Sequence, residues 1–366
     1  ALDTADGGNV ALGCNAGGAL TDNLNNVAIG CHALAASADD GDNNIAIGKL
    51  AMGVGDVSGA DNIAIGTTSM DALTSGACNI AMGINALGAS TTGARNIGIG
   101  KTAMGGADVA GNDNVAIGSE AMDALTSGAN NVAIGETAAG ALNTGKCNVA
   151  IGASPLALST TGCLNVAIGA TAMGGADTTG SNNIAIGSNS ADALTSGATN
   201  IAIGVNALSA LTIGLCNIAI GQAAMGGITT NQVDGSIAIG NNALGGTSNT
   251  SGDFNIGIGK NVLDDLTTGA CNVGMGDCAL TAVTTGVNNV GIGTGSAVAL
   301  TTGCHNVAIG HCAIGTGVTT GNFNTAIGYT SMQGLTCGIA NAHVGYRAGR
   351  CITSGCYNVS MGQESL

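Results

Sequence analysis

The chain has 366 residues, of which 65 are Gly, one is Pro and 13 are Cys, and its net charge is −15 from seven basic and 22 acidic side chains. Hydrophobic residues are 45% and charged residues 8%, a balance too apolar for a disordered chain, and the single Pro without a Gly-X-Y period excludes collagen. So few basic residues, with no basic stripe, argue against nucleic acid as a partner, and apolar stretches of about five residues are too short for membrane insertion as a helix.

The predicted elements begin at Asn9-Val10-Ala11-Leu12-Gly13 and end at Asn358-Val359-Ser360-Met361-Gly362, as copies of Asn-(Val/Ile)-Ala-(Ile/Met)-Gly. Copies start 17 or 18 residues apart, and 19 apart twice in the middle. A short fixed period of this kind marks a stacked, quasi-one-dimensional architecture in which each repeat is one turn. The expected fold is all-β, a parallel β-solenoid of about 21 coils, with turns about 4.8 Å apart and a rod about 100 Å long. The chain starts almost at a motif and stops at Leu366, with no polar capping segment. The domain expectation is therefore one uncapped solenoid over 1–366, either with its caps removed or with ends that stack on other copies.

The first two turns place Cys14 and Cys31 directly after their motif Gly. Equivalent positions on neighbouring turns lie about 5 Å apart, which suits a disulfide. Residues 114 to 130 show one turn in full. Asn-Val-Ala-Ile-Gly alternates as a strand does, with Val115 and Ile117 on one face and Ala116 on the other. The two bulky columns are predicted to face the core. Gly at the fifth position marks a corner. A second apolar pair (Ala33-Leu34, Ala86-Leu87, Ala103-Met104, Ala243-Leu244) and a Leu-Thr-(Thr/Ser)-Gly segment complete the turn. The Asn column is predicted to form a ladder of side-chain amides.

The third motif position is Ala or Gly in all but two copies, the exceptions being His343 and Ser360. This position is expected to point away from the core and to form a flat strip of small side chains that another copy of the chain covers. Candidate residues of this packing strip are Ala28, Ala46, Ala64, Ala116, Ala133, Ala150, Ala167 and Ala185.

Farther along, Cys147 and Cys163 sit one and two places before the motif Asn of neighbouring turns, a second candidate disulfide. Cys337, Cys351 and Cys356 lie near the C-terminus as candidate intersubunit cysteines. Disulfides would imply an oxidising, extracellular setting. Cys304-His305 and His311-Cys312 flank one motif, but their spacing fits no common metal site. Asn249-Thr250-Ser251 satisfies the glycan-acceptor pattern.

The Asn-Val-Ala-Ile-Gly repeats resemble the head repeats of trimeric autotransporter adhesins and the repeat regions of phage and large-virus tail fibres. That resemblance implies a left-handed, trimeric β-roll, exported or carried on a virion surface and used for attachment to a host-surface receptor or glycan. The longer period and the many cysteines depart from the adhesin pattern. Two other classes compete. Ile99-Gly100-Lys101-Thr102-Ala103 fits one hexad of left-handed β-helix acyltransferases, but those need three hexads per coil and a catalytic His, and one hexad per coil fits here. Thr91, Thr126, Thr160, Thr195, Thr267, Thr284, Thr301 and Thr319 form a near-column of hydroxyls, as in ice-binding solenoids, beside a Gly turn that also explains them. The reading that follows is a structural, self-associating extracellular fibre protein that is not an enzyme and needs no cofactor, with adhesion as a further role.

Overall fold

The computed structural model describes residues 7–37, 41–228, 232–246, 252–315 and 317–366. The acceptor tripeptide Asn249-Thr250-Ser251 lies outside them. The chain divides into two compact units, 1–182 and 183–366. The first carries ten three-residue strands, β1 (Val10–Leu12) to β10 (Val166–Ile168); the second carries eleven, β11 (Ile184–Ile186) to β21 (Val359–Met361). Within each unit consecutive strands pair in parallel with no register shift, as in Val115↔Val132 and Ile201↔Ile218. This is the parallel β-solenoid that the repeat predicts. At the sheet spacing each unit stacks its turns over about 45 Å.

The turn beginning at Asn114 shows how the sequence closes. In β7 (Val115–Ile117) the Val115 N–H donates to Asn131 O of the next turn at 2.8 Å, and the Gly118 N–H donates to Ile99 O of the previous one at 2.8 Å. Three corners follow, each with a non-Gly residue at positive φ: Glu120 (59°), Met122 (49°) and Asn130 (60°). A left-handed residue of this kind costs about 1 kcal/mol or more. Here each corner is locked by its own N–H: Glu120 donates to Lys101 O (2.9 Å), Met122 to Ala138 O (3.0 Å) and Asn130 to Asn112 O (3.1 Å). The strain is thus held by bonds alternately to the turn before and the turn after.

The core is narrow. The Ala-Met pair Ala121-Met122 and Leu125 are fully buried, as are Ala33-Leu34, Ala103-Met104, Leu73 and Leu300. Each such Leu or Met contributes about 1.5–3 kcal/mol by leaving water. The second apolar pair and the third-segment Leu thus sit where the pattern places them.

The faces of the strand are inverted relative to expectation. Ala28, Ala46, Ala64, Ala116, Ala133, Ala150, Ala167 and Ala185 are each 0% exposed, covered by their own chain. The proposed packing strip is therefore core, and the bulky Val/Ile and Ile/Met columns point outward. The reason is volume. The same cross-section must hold the Asn side chain, the Leu or Met of the second pair and the Leu of the third segment. Little beyond a methyl group fits under the strand. A Cβ on Gly274 would stand 2.5 Å from the Val262 side chain, and one on Gly291 would stand 2.7 Å from that of Leu280. Small residues here reflect space inside the coil, not close approach by a neighbour.

The Asn ladder is present. Asn131 Oδ1 accepts the Asn148 backbone N–H at 2.9 Å, and Asn131 Nδ2 donates across its own turn to Gly145 O at 2.9 Å. The pattern recurs at Asn79, Asn200, Asn272 and Asn324, all buried. One amide thus satisfies a donor in the next turn and an acceptor in its own, groups that would cost about 1–3 kcal/mol each if left unpaired. Where Ser236 replaces Asn, its Oγ still accepts the Asn255 N–H (3.1 Å), and Asn255 Nδ2 reaches Gly252 O (3.0 Å), the carbonyl that an Asn at 236 would take.

Candidate functional site

The outward face of the strands is the most unusual surface of each unit. Its two columns run through Val115, Val132 and Val149, and through Ile117, Ile134 and Ile151 in the first unit; Ile201, Ile218 and Ile237, with Ile203, Ile220 and Ile239, continue the pattern in the second. Stacked neighbours cover much of each side chain, leaving Ile134 36% exposed in mid-stack, whereas in β21 Val359 is 71% and Met361 75% exposed. About twenty such side chains per unit present on the order of 1,000 Å² of apolar surface, more than the few hundred that a monomer usually shows in one patch.

Charge is kept to the borders of this face. Lys49, Lys101 and Lys260 follow the motif Gly on one border and are exposed. Asp42, Asp61, Asp113, Asp234 and Asp253 stand one or two residues before the motif Asn on the other. Several of these acids also cap backbone: Asp42 Oδ1 accepts the Leu24 N–H at 2.6 Å and Asp234 Oδ1 accepts the Leu215 N–H at 2.8 Å. Asp113 is held in a two-point pair by Arg95 on the preceding turn (2.6 and 2.9 Å), whose guanidinium keeps that carboxyl below the usual range.

All thirteen cysteines are free thiols in the structure. Cys14 and Cys31 do share a column, since His32 N–H bonds Cys14 O and Leu50 N–H bonds Cys31 O, and both are exposed without being bridged. Cys147 and Cys163 do not share one. Leu164 stacks over Cys147, while the Cys163 thiol accepts the Lys146 N–H at 3.3 Å, the capping role that Asp and Asn fill elsewhere. Cys337, Cys351 and Cys356 are exposed. Cys351 lines an open cavity of about 250 Å³ with Arg347, Arg350, Glu364 and Leu366.

The Thr column is occupied locally. Thr74, Thr195, Thr267 and Thr284 donate their hydroxyls to the backbone of the next turn at 2.9–3.3 Å. Thr91 and Thr160 bond Asp108 and Asp177 instead. Turn chemistry accounts for these hydroxyls. Among the described residues no group of three His, Cys, Asp or Glu is placed to hold a metal ion, and no helix is long and apolar enough to cross a membrane.

Two features of the last turns escaped the sequence reading. His311, Tyr329 and Tyr346 occupy successive copies of the position after the motif Gly and stack with ring centroids 5.2 and 5.4 Å apart. His305 and Phe323 stack at 5.0 Å on the other border. Aligning the repeats by column would have shown both sets. The second feature is His343, which replaces the inner Ala in β20 (Ala342–Val344) and is 0% exposed. Gly349 stands where other turns carry the core Leu or Met, and a Cβ there would meet the imidazole at 2.5 Å, so the ring fills the vacated volume. Its Nδ1 bonds Ser360 Oγ at 2.5 Å, and Nε2 has no hydrogen-bond partner among the described residues.

Burial pushes the His343 imidazole below its ordinary value of 6.5. The folded state therefore holds it neutral, and protons bind the unfolded chain more readily. Its contribution to stability is complete above about pH 6.5 and falls as the pH drops through that value. Thermal unfolding at stepped pH between 7.5 and 5 should show this loss in the natural protein. It should be missing from His343→Ala/Gly349→Leu, which restores the common core pair. The half-buried carboxyls Asp71, Asp123 and Asp264, raised by desolvation, act in the opposite direction and are common to both proteins.

No protein-family model matches the chain, and no curated protein is similar to it.

Proposed function

We propose that this chain is a structural repeat protein that associates with copies of itself as a component of an extracellular or virion-surface fibre, with the outward Val/Ile face as the lateral contact between copies. The observation that carries this reading is the continuous apolar face of each unit, about as large as one side of a standard protein interface and bordered by charge rather than interrupted by it. The 8% charge content supports it, since a surface so poor in charge gives little protection against association. The exposed thiols could reinforce such a fibre under oxidising conditions, but the apolar face does not require them. Attachment to a host surface or glycan is a second reading, supported by the stacked aromatic column of the last turns, in which Tyr329 and Tyr346 remain exposed.

Electron microscopy of negatively stained protein, with and without reductant, tests the proposal. Laterally associated assemblies that persist under reductant are expected. Dissolution on reduction would put association on the thiols instead, and dispersed single particles in both conditions would overturn self-assembly.

A further inference from the structure

The borders of the apolar face are charged with opposite sign, and this selects one way for two copies to meet. Three of the four lysines, Lys49, Lys101 and Lys260, lie on the border after the motif Gly, and Asp42, Asp61, Asp113, Asp234 and Asp253 lie on the border before the motif Asn. Two of the lysines share a turn with an aspartate: Asp42 and Lys49 bracket β3 (Ile45–Ile47), and Asp253 and Lys260 bracket β15 (Ile256–Ile258). The third lysine, Lys101, shares its turn with Arg95 on the aspartate border, whose guanidinium is held by Asp113 of the next turn; the other two charges directly after a motif Gly are Glu136 and Asp277. Glu136 lies one turn from Lys146 on the opposite border, and Asp277 has no basic counterpart.

Resting on the self-assembly reading, we infer that the face of each unit, taken by itself, binds the same unit of a second copy of the chain in parallel orientation and in register, about a two-fold axis that runs along that unit's own stacking direction. Two sheets packed face to face lie about 10 Å apart, and a symmetric pair whose stacks lie along one another has two choices of dyad in the plane between them. A dyad across the stack makes the copies antiparallel and lays lysine border on lysine border and aspartate on aspartate. A dyad along the stack makes them parallel and lays each lysine border on the other copy's aspartate border. The second dyad also preserves height, so every turn meets its own equivalent. Lys49 then faces Asp42 of the second copy, and Lys260 faces Asp253, each contact occurring twice. Charge complementarity of this kind fixes register and partner choice more than raw affinity; the affinity comes from the Val/Ile columns between the borders.

The test uses two charge-reversed forms of the full chain, Lys49→Glu/Lys260→Glu and Asp42→Lys/Asp253→Lys, followed by sedimentation velocity at low salt. Each form alone places like charges together at four points and is expected to associate at least tenfold more weakly than the natural protein. An equimolar mixture restores opposite charges at all four and should recover association as a heterotypic pair. Because the two aspartates also lie in turns, a second measurement needs no variant. Mixed light and heavy-isotope natural protein is treated with a zero-length carboxyl–amine cross-linker, and mixed-isotope Lys49–Asp42 and Lys260–Asp253 links are expected. If the natural protein associates but the mixture shows no recovery and those links are missing, the parallel pairing is wrong while self-assembly stands. If the natural protein remains a monomer at about 100 μM, well above the Kd expected of an interface this size, both fail.

Discussion

Gly118→Ala is expected to destabilise the first unit by about 3 kcal/mol or more, enough to remove much of a domain's usual margin. Two effects combine at this residue. Its φ of 142° lies where an L side chain is strained, and a Cβ would meet Gly135 O at 2.2 Å. That oxygen cannot withdraw, because it belongs to the next corner, where the Gly135 N–H is bonded to Ile117 O at 2.7 Å. Moving it would break the register of every turn above. The control is Gly362→Ala, at the last motif, where φ is 120° and nothing stands within 4 Å of the added carbon. That change carries only backbone strain, about 1 kcal/mol. Denaturant unfolding followed by circular dichroism should separate the two, and equal small effects would mean that the corners are not stacked as described.

The second large effect concerns the two faces of the strand. Ala133→Leu should cost about 1–3 kcal/mol or more, because the inner column has room for one methyl group and overpacking moves backbone. Ile134→Gln, one residue away, should change stability by less than about 1 kcal/mol, because that side chain is already 36% exposed. If instead Ile134→Gln is the damaging change and Ala133→Leu is tolerated, the bulky columns are the core after all.

The repeat was legible because every level of the pattern agreed on it: the spacing, the strand alternation, the corner Gly and the turn segments. Which face of the strand turns inward was harder to read. Alternation assigns Val115 and Ile117 to one side and Ala116 to the other, but it does not say which side is the core, and apolar volume suggested the wrong one. The Asn column held the missing clue. Asn114 and Ala116 share parity, and Asn114 is buried with its amide bonded to Asn96 Oδ1 and Gly128 O. An inward Asn ladder forces an inward Ala column. The pairing of cysteines was less legible, because column position puts Cys14 beside Cys31 but says nothing about whether a bond forms. Cys163 shows a further ambiguity, since a thiol two residues before the motif Asn can cap backbone as Asp42 does. His343 could not be placed without seeing that Gly349, farther along the same turn, had lost the core side chain.

The outward Val/Ile columns are proposed here as the surface through which copies of the chain associate. This is tested most directly by sedimentation velocity on the natural protein and on Val132→Lys/Ile134→Lys, with circular dichroism showing that both are folded. Assemblies are expected for the natural protein and a shift to monomer for the variant, with the fold unchanged. Identical sedimentation of the two proteins would contradict it.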